Sequence, residues 1–267
     1  MIMNSADFIN GNKFLEMADF AIDFDHNDFT MEMYKKNAII YCKTDFLPIL
    51  FNHLKLSGRK YILISHMSDL PITKQLFESR PNCIKKWFGQ NTVYNHPDLI
   101  TVPIGLENHK GKSKGKFTNH EWFTENINKL LQNEKDPRAV YCNWNPNTNQ
   151  EIRAGIIPIL ENNGVSVYHE TGLSFEEYCE NMSKYKYVIC PPGNGVDTHR
   201  VWEALYMGCI PIVLDHQIFQ EYDLPIIRIK NWSEVTNELL DTEMMIKGLD
   251  LFFSRWKNKI QIEFNKI

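Results

Sequence analysis

Short apolar runs rich in isoleucine, valine and tyrosine alternate along the chain with longer amphipathic stretches, the pattern of a parallel sheet wrapped by helices. The predicted class is therefore α/β. In the first half the expected strands are Phe20 to Phe24, Ala38 to Cys42, Tyr61 to Ser65 and Ile100 to Pro103, with helices around Leu47 to Leu56 and Ile84 to Phe88. Between Asn108 and Lys116 the composition turns to Gly, Lys and Asn, and an amphipathic helix from about Asn119 to Gln132 follows. That interruption is the expected boundary between an N-terminal domain, residues 1–115, and a C-terminal domain, residues 116–267. The second half restarts the pattern, with strands at Ala139 to Cys142, Val165 to Tyr168, Tyr187 to Cys190, Ile210 to Leu214 and Ile226 to Ile229. Helices fit Gln150 to Glu161, Phe175 to Ser183, Thr198 to Met207 and Ser233 to Leu240, and a final one, Met244 to Phe264, is expected to fold back on the first domain.

The length of 267 residues exceeds the usual single domain of about 100 to 200, which favours two modest domains with a cleft or one large α/β unit. Apolar runs such as Cys209 to Leu214 are far shorter than the roughly 20 residues of a membrane helix, so no membrane span is expected. Met1 to Asp7 lacks the basic region and apolar core of a secretory signal, which points to the cytoplasm. Cysteines 42, 83, 142, 179, 190 and 209 are widely spaced without a C-x-x-C pair, and read as reduced, partly buried thiols. A formal net charge of −4 excludes a broadly basic nucleic-acid surface, although Lys110, Lys112, Lys114 and Lys116 form a local cluster. The Lys-, Asn- and Ile-rich composition suggests an AT-rich bacterial or viral genome.

The stretch richest in candidate chemistry is Tyr187 to Leu214, a buried strand, a Gly/Pro turn, a helix and another strand. Gly193 and Gly195 let the backbone approach a ligand, and Asp197 or Thr198 can cap the helix, whose free N–H groups and positive dipole end suit a diphosphate. His199 and Arg200 add side-chain donors. Glu203, four residues beyond His199, faces the same side and is placed for ribose hydroxyls. A structural account competes at several positions: the glycines as turn formers, Asp197 as a cap, Trp202 and Leu205 as core.

The pattern P-x-G-x-G-x-D-T-H-R-x-W-E-A-L-x-x-G-x-I-P-I-V is similar to the donor-binding core of exostosin-like glycosyltransferases, of bacterial or viral type. The resemblance implies two facing Rossmann-like domains, the GT-B architecture, with His199 and Arg200 on the donor phosphates and Glu203 on the ribose. It further implies a nucleoside-diphosphate sugar as donor, a uridine diphosphate sugar first, and a glycan hydroxyl as acceptor. Tyr141 to Asn149 followed by Arg153 resembles the family's phosphate-side loop, so Asn143, Asn145 and Thr148 would bond the donor and Arg153 would neutralise its leaving diphosphate.

In the first domain, Ser65-His66-Met67-Ser68-Asp69 looks like the S/T-H-x-S-D stretch of related bacterial and viral transferases. Asp69, with His66 next, is the expected base for an acceptor hydroxyl, against the alternative of a turn-capping aspartate and a loop histidine. Trp87 to Asn91 and Val102 to Asn108 also echo these enzymes, and Gly105, Glu107 and Asn108 are expected to line the acceptor cleft. Asp23-Phe24-Asp25 matches the D-x-D metal signature of the other glycosyltransferase architecture, but without its context. No metal or cofactor is expected, because a helix start and basic side chains can offset the diphosphate charge. Two alternatives are a phage enzyme glycosylating hydroxymethylated bases in DNA, with Lys85, Lys86 and Lys110 to Lys116 as a basic rim, and a non-catalytic nucleotide-sugar binding protein.

Overall fold

A computed structural model describes residues 4–108, 118–241 and 249–267, and the chain divides into two compact units. One comprises Ile9–Ile104 and Phe252–Ile267; the other comprises Met1–Phe8 and Gly105–Leu251. Each is built on a five-stranded parallel sheet, so the protein is α/β. Among the described residues no helix is long and apolar enough to cross a membrane. All six cysteines are buried and free.

In the N-terminal unit the strands β1 (Phe20–Ile22), β2 (Ala38–Lys43), β3 (Tyr61–His66), β4 (Ile84–Gly89) and β5 (Leu99–Thr101) lie side by side in chain order. Helices α1 (Gly11–Glu16), α2 (Leu47–Leu54), α3 (Lys74–Glu78) and the C-terminal helix (Phe253–Phe264) accompany them. Leu47, Leu50, Phe51 and Leu54 recur at helical spacing and are all buried, joining Ala38, Ile40 and Cys42 of β2 in one core. The intervening Ile39 and Tyr41 are buried too, so the sheet is covered on both faces; α1 and the C-terminal helix both contact β3.

The segment Ile84 to Phe88, expected as a helix, is instead the strand β4. A short apolar run fits either period, and here pairing with β3 and β5 on its two sides decides the matter. Trp87 and Phe88 are adjacent and both fully buried, as befits a strand covered on both faces.

In the C-terminal unit the elements are α4 (Asn119–Leu130), β6 (Asp136–Cys142), α5 (Gln150–Arg153), α6 (Ile156–Asn162), β7 (Ser166–His169), α7 (Phe175–Met182), β8 (Tyr185–Ile189), α8 (His199–Tyr206), β9 (Ile210–Leu214), α9 (Gln217–Gln220), β10 (Ile227–Ile229) and α10 (Asn237–Leu240). The helix expected over Gln150 to Glu161 is broken at Ala154 and Gly155. Pro158 has no N–H to donate, and restarting the helix at Ile156 puts it in a first turn where none is required. Helices α4 and α7 start at capping boxes, Thr118 with Glu121 and Ser174 with Glu177. Gly208, at φ 70°, lets the chain leave α8 for β9. Val140, Tyr187, Ile189, Ile210 and Ile212 meet Ile156 and Leu160 in the core, and Phe8 stacks on Tyr206 with ring centroids 4.0 Å apart, anchoring the N-terminal segment to this unit.

The strand order is β10-β9-β8-β6-β7. From β6 the chain steps to β7 on one side and then returns to β8 on the other, so the winding reverses between β6 and β8.

Candidate functional site

Open α/β sheets bind ligands beyond the carboxyl ends of their strands where the winding reverses. The loops leaving β6 and β8 span residues 143–149 and 190–198, and a pocket of about 490 Å³ is lined by Asn143 from the first loop, Thr198 at the end of the second, and Arg153, His199, Arg200 and Glu203 on the helices that follow. The β7 to α7 connection and the start of α7 close it with Leu173 and Ser174, and with Phe175 and Tyr178, and Glu107 and Asn119 complete the lining.

The positive side of the pocket has few partners. Arg153 is buried, and its guanidinium donates to the carbonyls of Pro192 (Nε, 2.8 Å), Asn145 (Nη1, 3.0 Å) and Pro191 (Nη2, 3.4 Å). No carboxylate pairs with it among the described residues, and burial, then the nearby Arg200 charge, brings its pKa down to about 10. A Cβ on Gly193 would lie 3.2 Å from Arg153 Nη2, so glycine at that position makes room for the guanidinium. Arg200 Nε is buried with no hydrogen-bond partner, and so is Thr198 Oγ1. Thr198 is the N-cap of α8, yet its side chain does not cap the helix. His199 Nδ1 donates to the carbonyl of Gly105 at 2.8 Å; a carbonyl only accepts, so that nitrogen carries the proton and Nε2 has no partner among the described residues. Buried donors are normally satisfied, so two arginines, a hydroxyl and an uncapped helix start on one side of the pocket are an arrangement suited to an anion.

The negative side is held differently. Glu203 Oε2 accepts from the Tyr178 hydroxyl at 2.7 Å, and burial raises the carboxyl pKa above its ordinary value despite the His199, Tyr178 and Arg200 contributions that oppose it. Glu107 Oε2 accepts from Asn119 Nδ2 at 2.7 Å. The pocket thus offers cationic donors beside carboxylate acceptors, the complement of a ligand carrying both an anion and hydroxyl groups.

The Exostosin GT47 domain model matches residues 72–237, more than half of the chain. The chain belongs to the exostosin GT47 family. It is 38% identical over 58 residues to a protein of Arabidopsis thaliana named as a probable glycosyltransferase; that match spans 22% of this chain and 12% of the plant protein. Every residue that lines the pocket falls within the exostosin span, whereas His66 and Asp69 precede it.

Other expected donor-side residues of this exostosin domain stand behind the pocket and shape it. Asn145 Oδ1 accepts from the Asn147 N–H at 2.9 Å, and its carbonyl holds Arg153. The Thr148 N–H donates to that same carbonyl at 3.2 Å. The Gly193 N–H donates to the Gly195 carbonyl at 2.9 Å, while Asn149, left-handed at φ 58°, donates from Nδ2 to the Gly193 carbonyl at 2.9 Å. Asp197 is buried and accepts from the Trp202 indole at 2.9 Å, a structural bond. Gly105, at φ 68°, presents its carbonyl to His199; Asn108 ends the described stretch after Glu107. Sequence reasoning missed Tyr178, because Phe175, Tyr178 and Met182 at helical spacing signal only a core-facing side.

The acceptor-side candidates belong to the N-terminal unit. His66 is buried, donates from Nε2 to the Pro103 carbonyl at 2.9 Å and lies against Phe14. Asp69 is exposed on the loop after β3. That loop is tied to the end of β4: Gln90 Oε1 accepts from the N–H of Met67, itself left-handed at φ 58°, and Asn91 Nδ2 donates to the Ser68 carbonyl at 3.1 Å. In the D-x-D, Asp23 Oδ1 accepts from the N–H groups of Asp25 and His26 and from His26 Nδ1, each at 2.8 Å. Burial pushes its pKa up, but these bonds outweigh that and lower it, as for a turn-forming carboxylate. Lys110, Lys112, Lys114 and Lys116 lie outside the described residues.

Proposed function

We propose that the protein transfers a glycosyl group from a nucleoside-diphosphate sugar, a uridine diphosphate sugar in the first instance, to an acceptor hydroxyl of a glycan. The observation that carries this reading is the Arg200 Nε, buried without a partner beside Arg153 at the start of α8. Arg200, Arg153 and His199 offset the charge that develops on the departing diphosphate, and Glu203 accepts from the ribose. These groups supply the stabilisation without a metal ion. The two units act as the donor and acceptor halves of a GT-B enzyme, with Asp69 as the base that takes the acceptor proton. Its exposure suits that role better than the burial of His66, whose Nε2 proton is engaged by Pro103.

The test is turnover of a panel of nucleoside-diphosphate sugars by wild type, Glu203→Ala and Arg200→Ala; near-wild-type donor hydrolysis and transfer in both variants would overturn the site. Asp69→Asn is expected to lower kcat by roughly 100-fold or more while leaving donor affinity intact. A DNA acceptor has no observation of its own: Lys86 is paired with Asp98 at 3.0 Å and Lys85 donates to the Asn82 carbonyl at 2.7 Å.

A further inference from the structure

Resting on that reading of the pocket, we infer that Tyr178 is the positioning residue that keeps Glu203 and Arg200 apart, so that one ligand can use both. The two ionisable side chains sit three residues apart on α8, and the Arg200 charge acts on the Glu203 carboxyl. Opposite charges placed this way in a pocket of low dielectric attract strongly, yet among the described residues no ion pair joins them. The sole hydrogen bond that Glu203 makes through its side chain among the described residues comes from the neutral Tyr178 phenol. A neutral donor occupies one carboxylate oxygen and leaves Oε1 able to accept from a ligand hydroxyl. A guanidinium in its place would occupy the carboxylate oxygens and offset the positive charge that a diphosphate would otherwise meet.

The phenol is fixed from several directions. Tyr178 is in the first turn of α7, whose start is locked by Ser174 and Glu177, and its backbone carbonyl accepts from the Tyr141 hydroxyl at 3.3 Å. Its ring lies against Tyr141 and Phe175, with centroids 6.1 and 6.0 Å away. The helix therefore delivers the hydroxyl at a set height over Glu203. Titratable groups that face this carboxyl from packed elements are His199 and Arg200 on α8, Tyr178 and Cys179 on α7, Cys190 after β8, and Glu107.

The consequence is a specific one for ligand choice. With Glu203 held by Tyr178, the pocket should recognise the ribose diol and the diphosphate as two separate contributions. Removing the phenolic hydroxyl should let the carboxylate turn to Arg200 and weaken both.

The experiment measures dissociation constants of UDP, ADP and GDP and of their 2′,3′-dideoxy forms by calorimetry. Wild type should bind at least one ribonucleotide about 10-fold more tightly than its dideoxy form, the worth of one or two hydrogen bonds to a charged acceptor. In Tyr178→Phe that ratio should fall to about 1 and the parent affinity should drop by about 10-fold or more. If wild type binds none of the six, the donor reading itself fails. If wild type shows the ratio and a folded Tyr178→Phe keeps it, only the positioning role fails. Arg200→Gln decides the matter independently of how the tyrosine variant folds: it should weaken every diphosphate yet preserve the ribose-to-dideoxy ratio, because Tyr178 still holds Glu203. Loss of the ratio in Arg200→Gln would show that the arginine, and not the tyrosine, sets the carboxylate.

Discussion

The two units carry sheets of the same size and the same parallel pairing, and they differ in what happens at the ends of their strands. In the N-terminal unit the strands follow chain order, and polar side chains of the strand-end loops bond to loop backbone: Gln90 Oε1 accepts from the Met67 N–H, Asn91 Nδ2 donates to the Ser68 carbonyl, and Asp23 Oδ1 accepts from the N–H groups of Asp25 and His26. In the C-terminal unit the winding reverses between β6 and β8, and the helix beyond β8 opens with a buried Arg200 Nε and Thr198 Oγ1 that have no partner. Satisfied loop groups stabilise the loop that carries them. Unsatisfied buried donors cost free energy in the empty protein, and a ligand that satisfies them recovers it. Buried polar atoms without a partner among the described residues occur in both units, Thr44 Oγ1 and Asn91 Oδ1 in the first, but in the second they include a cationic donor, Arg200 Nε, on a residue that lines a pocket.

Substitutions at Arg153 and Arg200 sharpen that distinction within one pocket. Arg153 both lines the pocket and holds three carbonyls, so Arg153→Ala should show the largest effect: a loss of roughly 3 kcal/mol or more in denaturant unfolding together with loss of nucleotide binding. Arg200→Ala removes no side-chain hydrogen bond among the described residues. Its affinity for UDP should fall by about 10- to 100-fold while the unfolding midpoint stays level or rises slightly, since a buried like charge beside Arg153 is gone. A clear drop in stability would mean that Arg200 belongs with the scaffold.

The strand-turn-helix-strand from β8 to β9 was legible in the sequence because its information is local: a buried run, a Gly/Pro turn, a helix ended by Gly208 and a second buried run. His199, Arg200 and Glu203 stand out through their spacing at a helix start beside the glycines, together with the exostosin-like pattern around them. What was not legible is non-local. Nothing near Asp197 announces that its carboxylate bonds Trp202, and the partner of Glu203 stands 25 residues earlier on another helix. The turn of the chain at Asn149 into a left-handed conformation, and the use of Arg153 to hold the β8 loop, likewise depend on two loops brought together by the strand order. The strand β4 was misread for a related reason, since its neighbours and not its own short run determine its period.

A smaller effect tests the scaffold side. Gln90→Ala should cost about 1 to 2 kcal/mol in unfolding, because the Met67 N–H loses its acceptor, with nucleotide affinity unchanged. A change in affinity of tenfold or more would give the β3 loop a part in donor binding and blur the contrast between the units.

The smallest effect bears on the contrast most directly, because it asks whether Glu203 is paired in the empty protein. Burial raises its folded pKa above the ordinary glutamate value of about 4.3. A group shifted upward in the folded state contributes stability that is fully present below the unfolded pKa and is lost as pH rises through the folded one. Wild-type stability should therefore carry a component that declines with pH above about 4.3, and Glu203→Gln should lack it. The difference in unfolding free energy between the two should grow in favour of the glutamine variant across that window and then level off. The opposite slope, with wild type gaining on the variant as pH rises, would require a carboxylate stabilised by a cation. Arg200 would then be its partner, the pocket would be internally neutralised, and the C-terminal unit would resemble the N-terminal one.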